Sequence, residues 1–366
     1  MSRFPLAERL DHGALVYESA RLVTEASTPS GRAVVLAELA AAFGDDGPGI
    51  AVVTEAFETS VVDRATDVFR SLIDEQHRAG IESGDHFAAP GANDRVWNAL
   101  EKLAVASPEV FADYYANPIV ELVSASWLGP WYQVTSQVNV VNPGGQAQAP
   151  HRDYHLGFQS DDGAAAFPPH AHQLSAALTL QGAVAHCDMP VESGPTMYLP
   201  STHRYPLGYL AWRRPEFAEY FADHHVQLPL HSGDAVFFNP ALLHAAGTNR
   251  TADVRRMANL LQISSAMGRA MESVDRDRMS RVLYPVLLRW VESGADESAV
   301  PADVRRVVAA SAEGYPFPTN LDRDPPIGGL APPSQADVVL TALAERLPVA
   351  DLHVRLDEHA RRRHTT

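Results

Sequence analysis

From residue 131 the hydrophobic period of the chain changes from that of helices to that of strands, and the strand pattern persists to about residue 265. The segment WYQVTSQVNVV (131–141) alternates strictly, with Gln133, Thr135, Gln137 and Asn139 on one face and Val134, Ser136, Val138 and Val140 on the other. Short apolar runs punctuated by Gly, Pro, Asn and Asp follow: LSAALTLQGAVA, TMYLP, HVQLPL, AVFFNP and RRMANLLQIS. Many short strands in one block predict an antiparallel sandwich or jelly roll. The flanks read as helix. Residues 1–50 are Ala-rich up to a break at GDDGPG, IAVVTEAF is a short strand, and 58–80 is an amphipathic helix with Val62, Ala65, Phe69 and Ile73 on its apolar side. Further helix is expected over 94–106, 108–127 and most of 270–366. The expected organisation is therefore one domain, mainly β with flanking helices: helical support (1–128), a β core (129–268) and a helical C-terminal extension (269–366). That extension either covers a pocket or forms a homodimer contact.

Composition removes several classes of function. The single cysteine, Cys187, leaves any metal to imidazole and carboxylate. A formal net charge of −16 repels a phosphate backbone, so nucleic acid is not an expected partner. No apolar run is long enough to span a bilayer and the N-terminus carries charges where a secretory signal needs apolar residues, so no membrane association and a cytoplasmic location are expected. Lys102, the only lysine, lies in an ordinary helical stretch, which argues against Schiff-base chemistry.

Histidine is unevenly distributed: ten of the 16 lie between His151 and His244, which directs the search for a metal to the strand block. The triplet HRD (151–153) follows the alternating strand and an NPGG turn, and in extended chain His151 and Asp153 project to one side while Arg152 points away. Alone this is a weak signal. A distant His244, delivered by the strand AVFF, completes two imidazoles and one carboxylate, the set that holds non-haem iron(II) with open positions for reactants. Beyond it GTNRTAD reverses the chain and brings Arg255 and Arg256 back past the histidine. Only one of the two can face the site, where a guanidinium fork pairs with a carboxylate. HAH (170–172) offers two imidazoles without a suitably placed carboxylate, and PP before it reads as a loop. His155 either faces the substrate or orients Asp153. Tyr154 and Phe158 either wall an apolar pocket or belong to the core. Zinc-protease, serine-hydrolase and nucleotide-binding signatures are absent.

Residues 131–265 resemble the phytanoyl-CoA dioxygenase family of iron(II)/2-oxoglutarate oxygenases. The likeness rests on HRDYHLGF (151–158), on ESGPTMYLPSTHR (192–204), and on GDAVFFNPALLHAAGTNR (233–250) followed by Arg255. It implies a double-stranded β-helix of the cupin type, iron(II) held by His151, Asp153 and His244, and Arg255 paired with the distal carboxylate of 2-oxoglutarate. Ala246 stands where members often carry a hydroxyl residue, which leaves Thr135 or Gln137 to share in anchoring the co-substrate, with Gln137 and Asn139 nearest the metal. The reaction implied couples dioxygen and oxidation of 2-oxoglutarate to succinate and CO₂ with hydroxylation of a small molecule. A carboxylate at position 153, where related halogenases have a small residue, favours hydroxylation. Two other readings use the same block: a metal-dependent cupin-type isomerase, epimerase or lyase, and a non-catalytic jelly-roll binding protein. The substrate itself is not legible.

Overall fold

The structure, a computed structural model, describes residues 2–80, 92–294 and 299–365. Eleven strands lie among them: β1 (Arg9–Asp11), β2 (Ala14–Glu18), β3 (Ile50–Thr54), β4 (Asn93–Val96), β5 (Gln133–Val141), β6 (Thr179–Ala185), β7 (Met197–Leu199), β8 (Val226–Gln227), β9 (Ala235–Phe238), β10 (Leu243–Ala245) and β11 (Arg256–Ser264). They form an eight-stranded sheet in the order β1-β2-β3-β9-β6-β11-β5-β4 and a three-stranded sheet in the order β10-β7-β8. The architecture is a jelly roll of the cupin type, with the small sheet facing the large one.

The large sheet separates two interiors because its side chains alternate across the pleat. On one face Val134, Val138, Val140, Met257, Leu261 and Ile263 join the main hydrophobic core with helical residues such as Leu103, Phe111 and Ile119. Asn259, on that same face, donates from Nδ2 to the hydroxyls of Tyr114 and Tyr115, at 3.3 and 3.5 Å. On the other face Val52, Ala183, Val236 and Phe238 pack with Tyr198, Leu228 and Leu230 from the small-sheet side. The second interior is the one that contains the site.

In the N-terminal third β3 is the strand expected at IAVVTEAF, but the sheet continues past it through β2 and β1 at that edge and ends in β4 at the other, where helix was expected. Ala14–Glu18 is a short run enclosed by helix-prone sequence, yet its first four residues are buried. β4 reads NDRV, polar enough to pass for the start of a helix, because its side chains face polar partners across the sheet. The expected strand LSAALTLQGAVA also divides: Pro169–Ala177 is helical, with Pro169 in its first turn, and the strand begins at Thr179. The amphipathic helix forms over Thr59–Arg78 and buries Val62, Ala65, Phe69 and Ile73. None of the described helices is long and apolar enough to cross a membrane.

Candidate metal centre and its cavity

The chain after β5 runs extended beside β10, so that His151 and His244 form an antiparallel bridge with backbone N–H···O distances of 2.9 and 3.1 Å. Two residues on, Asp153 N donates to Pro240 O at 3.0 Å and holds the carboxylate on the same side as His151. Ligand atoms of His151, Asp153 and His244 all lie within 4.8 Å of one another. Each imidazole donates Nδ1–H to a carbonyl two residues earlier, His151 to Ala149 and His244 to Leu242, both at 2.9 Å. Those bonds select the tautomer whose Nε2 carries the lone pair a metal needs. Burial, reinforced by the neighbouring His151, pushes the His244 pKa down to about 3, so its imidazole stays neutral and ready to ligate.

Asp153 is oriented by two amides. Gln262 Nε2 donates to Oδ2 at 3.0 Å, and Gln181 Nε2 makes a second bond to the same oxygen. The other oxygen, Oδ1, is buried with no hydrogen-bond partner. An orphaned buried carboxylate oxygen is costly unless something binds it, and beside two aligned imidazoles that something is a metal cation. The donor set suits a non-haem iron and leaves neighbouring coordination positions for reactants.

All three side chains line a cavity of about 370 Å³ between the two sheets. β11 sends alternate residues into it, Arg256, Ala258, Leu260 and Gln262, so one strand carries both an arginine and the amide that holds Asp153. Arg256 is buried, and its Nε and Nη2 have no hydrogen-bond partner. Burial pushes its pKa down to about 10, partly offset by Cys187 and Tyr198. Thr196 and Tyr198 line the cavity beside it, while Leu228, Leu230, Val236 and Phe238 make an apolar wall.

Arg255, expected to be the co-substrate clamp, is turned outward: its side chain is 60% exposed, pairs with Asp94 at 2.9 Å and donates to Asn142 at 3.0 Å. The reason is parity. β11 pairs with β5 in the register Arg256↔Val141 and Gln262↔Thr135, which puts even-numbered residues of β11 on the cavity face. Gln137 and Asn139 line the cavity as expected. Thr135 does not; its hydroxyl donates to Gln262 O at 2.9 Å. Ala246 lines the cavity without a hydroxyl, and it is Thr196 and Tyr198 that supply hydroxyls near the arginine. Phe158 stands in the cavity wall. Tyr154 packs with Ala176 and Tyr209, its hydroxyl near His172, and the His155 Nε2 bonds to Arg269 O at 2.6 Å, so neither reaches the cavity. HAH lies on a helix, where His172 bonds to Ala164 O at 2.8 Å, and it is not a metal pair. Gln181 and Gln262 were not anticipated, since a glutamine in an alternating strand has the same signal as a solvent-facing one.

Among solved structures, the chain is similar in fold to the non-haem alpha-ketoglutarate-dependent epimerase SnoN from nogalamycin biosynthesis, at 21% identity and a TM-score of 0.45 over 64% of this chain and 82% of that one. The carbocyclase SnoK from the same biosynthesis gives 21% and 0.43 over 64% and 86%. AviO1 from Streptomyces viridochromogenes Tue57 gives 18% and 0.45 over 61% and 92%. No curated protein matches the sequence. The phytanoyl-CoA dioxygenase (PhyH) family model matches residues 46–257. That is more than half of the chain and spans both His151–Asp153 and His244, and the chain belongs to this family.

Proposed function

We propose that the protein is an iron(II)- and 2-oxoglutarate-dependent oxygenase that hydroxylates a C–H bond of a small molecule and releases succinate and CO₂. One observation carries this reading: a triad of two imidazoles and one carboxylate shares a cavity with a buried guanidinium that has no counter-ion among the described residues. Nε2 of His151 and His244 and Oδ1 of Asp153 would hold the metal, and 2-oxoglutarate would chelate it. When bound, iron supplies the activation of dioxygen.

The chain's own residues do the rest. Arg256 forks onto the distal carboxylate of 2-oxoglutarate, which gives its buried charge a partner. The hydroxyls of Thr196 and Tyr198 line the cavity near Arg256 and would take the place of the hydroxyl missing at Ala246. Leu228, Leu230, Val236 and Phe238 exclude water from the hydrocarbon part of the co-substrate. Asp153 fills a ligand position that would have to be vacated for a halide to bind, which favours oxygen insertion over halogenation.

Protein given iron(II) and 2-oxoglutarate without oxygen should show the visible charge-transfer band of a chelated keto acid, and alanine at His151, Asp153 or His244 should abolish it. Loss of one partner of a buried charge pair costs about 3–5 kcal/mol, so Arg256→Ala should weaken 2-oxoglutarate binding by roughly two orders of magnitude or more. Arg255→Ala should change it little, because that side chain is solvent-screened. Under labelled dioxygen the product should carry the label and form together with succinate. Unlabelled product formed without succinate would overturn the oxygenase reading in favour of an isomerase or lyase.

A further inference from the structure

The pairing that carries the two histidine ligands is irregular on both sides of the His151–His244 bridge, and the two irregularities match. His151 and His244 exchange both backbone bonds, at 2.9 and 3.1 Å. In an antiparallel ladder the next such pairs lie two residues away in each direction, here Ala149 with Ala246 and Asp153 with Leu242. Both are diverted. The Ala149 carbonyl, in place to accept from Ala246 N, accepts from His151 Nδ1 at 2.9 Å. The Leu242 carbonyl, in place to accept from Asp153 N, accepts from His244 Nδ1, also at 2.9 Å. Each strand gives up one ladder acceptor to orient its own imidazole.

The two backbone donors left over need other acceptors, because an N–H without a partner is costly away from water. Asp153 N finds Pro240 O at 3.0 Å, where the chain turns between β9 and β10. Ala246 N finds a side chain, Gln148 Oε1, at 3.2 Å. The backbone N–H of Gln148 also donates to Ala246 O, at 2.9 Å. Residue 148 therefore holds both backbone groups of Ala246 and stands in for Ala149 in the ladder. Ala149 becomes the extra residue of a bulge, and its carbonyl is released to the imidazole.

Resting on the function proposed above, we infer that Gln148 is a positioning residue for His151. By supplying the acceptor that Ala246 N requires, its side chain keeps the Ala149 carbonyl on His151 Nδ1–H and so fixes the tautomer that offers Nε2 to iron. Without that oxygen, Ala246 N competes for the Ala149 carbonyl, the acceptor in ladder register with it, and the imidazole loses its anchor. Gln148 acts through Ala149 and needs no contact of its own with the metal. His244 is the internal comparison, because the bond that releases its Leu242 carbonyl comes from Pro240 and not from Gln148.

Two variants of the full chain test this: Gln148→Met, which keeps the side-chain length and removes the acceptor, and Gln148→Glu, which keeps an acceptor. Heteronuclear NMR of histidine-labelled, metal-free protein, at a pH about two units above the usual histidine pKa, reads the tautomer of each ring, with the two ligands assigned by their loss in His151→Gln and His244→Gln. In Gln148→Met, His151 should shift from the Nδ1–H toward the Nε2–H form while His244 stays Nδ1–H. Iron(II) affinity, by competition with a chelator, should fall roughly tenfold or more. Gln148→Glu should keep the Nδ1–H form at both rings. An unmoved His151 tautomer or an unchanged iron affinity in Gln148→Met, an equal change at both histidines, or the same shift in Gln148→Glu overturns the inference. The tautomer is read without metal, so the two readings fail separately. An unaltered protein that binds no iron(II) removes the function proposed above, whereas bound iron with an unmoved tautomer counts against Gln148 alone.

Discussion

Two glutamines donate to one oxygen of Asp153 and so dedicate the other to a ligand role. Gln181 comes from β6 and Gln262 from β11, adjacent strands that pair with these two residues opposite each other. Outer hydrogen bonds of this kind are worth about 10–100-fold in metal affinity. Gln181→Ala and Gln262→Ala should each weaken iron(II) binding by that order, measured by competition with a chelator, while leaving the unfolding midpoint of the metal-free protein nearly unchanged. A large fall in the midpoint with unchanged metal affinity would instead assign them a role in packing. At this scale the sequence was informative where chemistry and spacing coincide: HRD and His244 stand out because two imidazoles and a carboxylate converge only for a reason. It was uninformative where the outcome depends on parity. Arg255 and Arg256 are indistinguishable as neighbours, and which one faces the cavity follows from the pairing of β11 with β5, a tertiary fact.

Among the connecting elements, the turn at Gly194 shows how closely the cavity wall is built. Gly194 has φ +71°, and a Cβ there would stand 2.4 Å from Thr248 O. It leads directly into Pro195 and Thr196 in the cavity wall and then into β7, which carries Tyr198. Gly194→Ala should destabilise the protein by about 2 kcal/mol or more, from left-handed strain plus a clash with backbone, as read by urea denaturation. It should also weaken 2-oxoglutarate binding, because Thr196 and Tyr198 move with the turn. Stability within a few tenths of a kcal/mol of the unaltered protein would show that the turn relaxes at no cost. Most strands of the central block were legible as alternating or apolar runs between turn residues, but β10 was not: AVFF was expected to deliver His244, which instead lies on a separate three-residue strand of the small sheet. β2 was hidden by its Ala-rich surroundings and β4 by its polarity, since the partners that make an NDRV strand tolerable lie far away in sequence.

Across the whole molecule the large sheet divides a helix-packed core from the cavity, and polar groups on the core side must be satisfied without water. His186, immediately after β6, sits in that core: its Nδ1 donates to Thr66 Oγ1 at 2.8 Å and its Nε2 accepts from Tyr114 at 3.0 Å. Burial, helped by Arg70, pushes its pKa from 6.5 down to about 3. Between those values the unfolded chain binds a proton that the folded protein refuses, so stability rises with pH and falls as the medium is acidified below about 6.5. In that window His186 contributes a slope of about 1.4 kcal/mol per pH unit. His186→Gln, whose amide can keep both bonds, should flatten the metal-free stability profile between pH 6 and 4 (both about) by that amount, whereas an unchanged slope would mean that His186 is protonated in the folded state. The separation of core from cavity was predictable from alternation, but the position of such a histidine was not, because helix and sheet residues far apart in sequence jointly enclose it. β11 crosses the middle of this arrangement, with Arg256 at one end and Gln262 near the other. It therefore acts as a ruler with coarse graduations. Positions on its cavity face recur every second residue, about 7 Å apart, whereas one carbon added to a keto acid changes its length by about 1.5 Å. Moving the guanidinium to another position on the strand overshoots any neighbouring homologue of 2-oxoglutarate, so a preference among keto acids of different length can be adjusted only by what projects from the strand and not by sliding along it.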